Sequence, residues 1–138
     1  MFRTLVVTTD FSVNSAVAVR PAVAIAEKFG ARIVLIHVID AASTDPAQAG
    51  LDGLSEMARE HLEEFGGREI GERVPWTPEV ATGPAYLAIT DTARRHQADL
   101  IVVATHGRTG VLHLLLGSVA ERVVRTATCP VLTVRVAG

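Results

Sequence analysis

Short apolar runs rich in β-branched residues, set far apart along the chain, constrain the fold more than any other feature. They are Leu5-Val6-Val7, Ile33-Val34-Leu35-Ile36 with Val38 and Ile39, Leu100-Ile101-Val102-Val103, and Val131-Leu132-Thr133-Val134. Each is nearly continuous rather than alternating, which is how strands read when helices cover both faces of their sheet. A weaker run, Glu79-Val80-Ala81-Thr82, lies between Pro78 and Gly83 and reads as an edge strand.

Helical spacing fills the intervals. Val13 to Phe29 is rich in Ala and Val and stops at Gly30, a C′ glycine, with Pro21 inside it predicting a kink or an irregular first turn. Leu51 to Phe65 places Leu54, Met57, Ala58, His61, Leu62 and Phe65 on one stripe, and Gly66-Gly67 is read as its end. Ala85 to His96 follows with Leu87, Ile89 and Ala93, and a last helix runs from Ser118 to Arg125 with Val119, Val123 and Val124 inward. Trp76, between Pro75 and Pro78, is expected in a loop, packed on the domain or on a partner. The small, polar Ala41 to Gly50 segment is expected to be a mobile loop. Strict alternation of strands and helices implies parallel strands and right-handed crossovers. The expectation is one α/β domain over residues 1–138, a doubly wound five-stranded parallel sheet of order 3-2-1-4-5 with helices on both faces.

Composition narrows the function classes. Hydrophobic residues make up 49% and aromatic ones only 4%, which suits an aliphatic core between sheet and helices. The formal charge of −2, with scattered Lys and Arg, speaks against a nucleic-acid partner. No run approaches the roughly 20 apolar residues of a membrane span, and Met1-Phe2-Arg3 leads directly into a strand rather than a signal peptide. The lone Cys129 fits a reducing compartment and reads as a small core residue. A cytoplasmic protein is expected.

In a sheet of this order, ligands bind beyond the carboxyl ends of strands 1 and 4. Strand 1 ends in Thr8-Thr9-Asp10-Phe11-Ser12, and strand 4 runs through Val103 into Ala104-Thr105-His106-Gly107-Arg108-Thr109-Gly110. The chain then reaches Gly117-Ser118-Val119, where the last helix starts with unpaired N–H groups suited to an anion. Each charge-assisted hydrogen bond there is worth roughly 1.5–3 kcal/mol. Plain capping by Ser118, and of the first helix by Asp10, is the alternative. His106 either approaches the expected anion or stabilises the turn, Arg108 either neutralises the anion or is a surface residue, His37 reads as a packed core histidine, and there is neither a Walker A triplet nor a G-x-G-x-x-G. No Cys/His spacing suits a metal.

The arrangement Ala104-x2-Gly107-x9-Gly117-Ser118 resembles the G-x2-G-x9-G-S/T signature of the ATP-binding universal stress proteins. Thr9-Asp10-Phe11-Ser12, His37-Val38-Ile39-Asp40, Leu115-Leu116-Gly117-Ser118-Val119-Ala120-Glu121 and Cys129-Pro130-Val131-Leu132 agree as well, so the likeness spans the chain. It implies a fold of the adenine-nucleotide alpha-hydrolase type, with ATP, and Mg²⁺ alongside, lying across the carboxyl edge. Asp10 would contact the ribose or adenosine side, with Thr8 and Thr9 beside it. The Val38 backbone would meet adenine, and Gly107, Arg108, Gly117, Ser118 and Val119 would hold the phosphates, near Val103 and Ala104. The family's first glycine is Ala104 here, at a cost of roughly 1 kcal/mol if positive φ is needed there. The resemblance also implies an antiparallel homodimer through Val131–Val136, and a stress or regulatory role. A scaffold that binds no nucleotide, or a slow ATPase, stands as the alternative.

Overall fold

The computed structural model describes residues 2–39, 51–107 and 118–137. Its elements are β1 (Thr4–Thr8), α1 (Val13–Phe29), β2 (Arg32–Ile39), α2 (Leu51–Glu69), β3 (Trp76–Thr82), α3 (Ala85–Arg95), β4 (Leu100–Gly107), α4 (Ser118–Thr126) and β5 (Val131–Ala137). They form one five-stranded sheet, β3-β2-β1-β4-β5, with every adjacent pair parallel. The topology expected from the sequence is the one observed. The expected loop over Ala41–Gly50 lies outside the described residues.

Burial on both faces explains the continuous apolar runs. Alternating side chains of β1 and β2 (Leu5, Val7, Ile33, Leu35) join Val19, Val23 and Leu62 beneath α1 and α2. The opposite set (Val6, Val34, Ile36, with Ile101 and Val103 of β4) joins Ile89, Ala93, Ala120 and Val123 beneath α3 and α4. Cys129 is partly buried against this second cluster, as a small packing residue. Burial, and secondarily the Asp99 carboxylate, pushes its thiol pKa up, away from a reactive thiolate.

Helix α1 begins at Ser12, whose hydroxyl accepts from the Ser15 N–H, and ends at Gly30 in the left-handed region (φ 65°). It continues through Pro21. Several local expectations fail. Helix α2 does not stop at Gly66-Gly67 but runs on to Glu69 and ends before Gly71 (φ 61°). Trp76 opens β3 instead of sitting in a loop; its indole lies over Gly66 and its Nε1–H donates to the Gly71 carbonyl at 3.2 Å. In α4, Val119 and Val124 are 42% and 45% exposed, while Ala120 and Val123 make the buried stripe.

The edge strand β3 is fastened to α3 by one carboxylate. Glu79 accepts from Thr92 Oγ1 (3.1 Å), from His96 Nε2 (2.8 Å) and from Arg95 Nη2. Burial would raise its pKa, but the His96, Arg95 and Thr92 hydrogen bonds and the Arg95 charge outweigh that and hold it below the ordinary 4.5. A carboxyl whose folded pKa is depressed stabilises the fold above its unfolded value, and the gain fades as pH falls through the folded one. Glu79→Gln is therefore expected to destabilise the protein at neutral pH, with the gap to wild type closing in acid below 4.5. Denaturant midpoints at pH 7 and pH 3 check this; a constant gap would refute it.

Candidate functional site

The carboxyl edge is built by what happens just after β1. The ladder with β2 ends at Thr8↔Ile36. Thr9 then turns inward and is buried, with its N–H donating to the Ile36 carbonyl (3.0 Å). Its hydroxyl pairs with Ser15 Oγ at 2.7 Å and accepts from the Phe11 N–H at 2.9 Å. Asp10, next in sequence, is exposed, and its Oδ1 accepts from the Ser12 N–H at 2.9 Å. That is an Asx turn feeding directly into the Ser12 cap, so the helix is capped by Ser12 rather than by Asp10, which orients the turn from the rim. Phe11 adopts φ 69°, one of two positive values at non-glycine positions among the described residues. Such a conformation costs of order 1–3 kcal/mol and is held only where neighbours over-determine it.

Side-chain alternation sorts the other candidates. Thr8, Val38 and Val103 fall on the face of α3 and α4, on three adjacent strands. Val103 is buried, Thr8 and Val38 half-buried. Val38 pairs with Ala81 of β3 and packs in the cluster that includes Ala85 and Tyr86. Tyr86 carries Arg122 of α4 over its ring, 5.2 Å from the centroid. Ala81, Tyr86 and Arg122 were not among the sequence candidates. For Tyr86 the local signal was the turn at Gly83-Pro84, which brings α3 back over the end of β2.

Ala104 lies in regular β4 pairing, opposite Val134, and is not among the positive-φ residues. The strain that alanine would carry at a left-handed glycine position is therefore absent. Alternation sets it on the face of Leu100 and Val102, together with Thr9 and away from Val38. Gly107 ends β4 opposite Ala137, and Ser118 opens α4, followed by the exposed Val119. Arg108 and Gly117 lie outside the described residues. His37 is half-buried at the carboxyl edge rather than packed in the core; its ring stacks on Phe11, centroids 4.3 Å apart. Among the described residues no group of three or more His, Cys, Asp or Glu could hold a metal ion. No helix among them is long and apolar enough to cross a membrane.

Sheet order and edge together define a doubly wound α/β protein whose ligand crevice, by the general rule for such sheets, opens where β1 and β4 diverge. The model of the universal stress protein family matches residues 1–135. This chain belongs to the universal stress protein family.

It is 35% identical to universal stress protein MJ0531 of Methanocaldococcus jannaschii, over 98% of this chain and 83% of that protein. It is also 35% identical to universal stress protein A homolog 2 of Coxiella burnetii, over 78% of this chain and 77% of the relative. Among solved structures, MJ0577 of M. jannaschii superposes with a TM-score of 0.83 at 25% identity, covering 100% of this chain and 99% of that one. A universal stress protein crystallised in complex with cAMP superposes with a TM-score of 0.68 at 26% identity, covering 99% and 98%.

Proposed function

We propose that this chain is a nucleotide-binding regulatory protein that takes ATP across the carboxyl edge of its sheet. Asp10 accepts hydrogen bonds from ribose hydroxyls, with Thr8 and Thr9 behind it. The Val38 backbone reads adenine. Gly107, Arg108, Gly117, Ser118 and Val119 surround the phosphates, with Val103 and Ala104 beneath. The observation that carries the reading is Asp10: an exposed carboxylate at the end of the central strand, oriented by the Ser12 N–H and one strand from Val38. A 26%-identical relative crystallised with cAMP supports an adenine nucleotide as the ligand class. Magnesium arrives on the phosphates. The protein acts through changes in conformation or partner rather than turnover, as no base for an attacking water is evident among the described residues. Two copies pair through the exposed edge of β5, and light scattering at micromolar concentration reads that dimer.

Losing one hydrogen bond between a carboxylate and ribose costs roughly 1.5–3 kcal/mol, so Asp10→Ala is expected to weaken ATP binding by about 10- to 100-fold. Calorimetric titration checks this, with Asp10→Asn, which keeps the acceptor of the Asx turn, as the control for local structure. Millimolar Mg-ATP is expected to raise the wild-type melting temperature. The second reading, a scaffold in which Asp10 serves only the turn before α1, rests on the same Ser12 bond. It prevails if Asp10→Ala lowers the melting temperature while wild type shows no response to ATP.

A further inference from the structure

We infer that His37 is a positioning residue for Asp10, clamping the Thr9–Phe11 turn from the neighbouring strand. The inference rests on the nucleotide reading for its consequence, though not for its geometry. His37 Nδ1 lies 2.9 Å from the Thr9 carbonyl oxygen, 28 positions away in sequence. A carbonyl only accepts, so Nδ1 carries the proton, which fixes the tautomer. The regular pairing of β1 with β2 ends at Thr8. The imidazole extends it by one hydrogen bond, using a side chain where the backbone has turned away. Thr9 is thereby held on every polar group: N–H by Ile36, carbonyl by His37, hydroxyl by Ser15 and by Phe11.

The same ring also holds the far side of Asp10. It stacks on Phe11 at 4.3 Å with 27° between planes, and Phe11 is the residue in the left-handed region. His61 and Phe65 of α2 meet Phe11 edge-on at 5.5 and 6.1 Å and close the pocket around it. Asp10 is thus bracketed between two residues that touch one imidazole, while its carboxylate stays on the exposed rim. Preorganisation of this kind improves affinity because the ligand need not order the turn itself.

The test separates the two contacts. His37→Asn keeps a donor near Nδ1, His37→Phe keeps the ring without the donor, and His37→Ala removes both. Amide exchange in the ligand-free protein reads the Phe11 N–H, with the Val102 amide in buried β4 as the measure of global stability. In His37→Ala, Phe11 exchange is expected to rise about tenfold relative to Val102, and ATP binding to weaken by about fivefold, the scale of one lost hydrogen bond. His37→Asn and His37→Phe, each keeping one of the two contacts, should both fall between wild type and His37→Ala. Adding His37→Ala to Asp10→Ala should cost no further ATP affinity, because the effect passes through Asp10. Phe11 exchange unchanged in His37→Ala, an Asn variant as impaired as Ala, or an additive loss in the double variant would each overturn the inference. Wild-type protein that does not bind ATP refutes the nucleotide reading instead, and the exchange ratios then decide the clamp alone.

Discussion

Leu35→Ala is expected to lower the unfolding free energy by about 3–5 kcal/mol, the upper part of the range for leucine truncation in cores. Leu35 is fully buried on β2, with β1 on one side and β3 on the other. Its neighbours in the cluster under α1 and α2 include Val7, Val23 and Leu62, all inaccessible to solvent. Strands on both sides are fixed by ladders, so the void has little means of collapse, and the cavity adds to the lost transfer energy. Against a typical total of about 5–15 kcal/mol, such a loss removes a large part of the stability. Chemical denaturation with an unchanged m-value checks it. A loss below about 1 kcal/mol would mean that this face repacks as no rigid core does.

The second large effect concerns two adjacent glycines in α2, for which opposite signs are expected. A Cβ on Gly66 would sit 2.3, 2.5 and 2.8 Å from three atoms of the Trp76 six-membered ring. The indole is rigid, and its Nε1–H is committed to the Gly71 carbonyl, so yielding costs that bond as well as packing. Gly66→Val is therefore expected to destabilise by about 2–3 kcal/mol, the overpacking cost exceeding the modest gain in helix propensity. Gly67 is exposed, and a Cβ there meets nothing within 4 Å. Gly67→Ala should stabilise by about 0.5–1 kcal/mol, since only backbone entropy changes. Thermal melts of both variants decide the matter. Two shifts of the same sign would show that the indole does not hold its place against α2.

These glycines also show where sequence reasoning loses its grip. Gly-Gly after an apolar stripe looks like a helix stop, because glycine's freedom is the only property visible in one dimension. Its other use, letting a bulky group approach, depends on Trp76, which comes from a different element. Prolines at positions 75 and 78 hid that tryptophan's place in an edge strand, where proline is tolerated. In α4, adjacent apolar pairs at 119–120 and 123–124 offered more than one stripe, and the buried choice, Ala120 with Val123, is set by α3 and the sheet. The strands and their order were legible because burial on both faces writes itself into consecutive residues. Asp10 was legible as a strand end by the same logic, whereas Val38 entered as a candidate through the family resemblance. The Thr9–His37 bond and the positive φ of Phe11 were not, because they arise only when β1 and β2 lie side by side.

The two edges of the sheet have unequal consequences for how copies of the chain can accumulate. Strand β3 carries Pro78, which has no N–H to offer, and its Glu79 carboxylate is turned onto α3. Strand β5 has no proline between Val131 and Ala137. A pair of chains joined at β5 would expose only the proline-bearing margins, so strand-to-strand growth would terminate at two copies instead of propagating as a ribbon. Pro78 in that sense acts as a chain terminator for assembly, and a residue such as valine in its place would remove the stop.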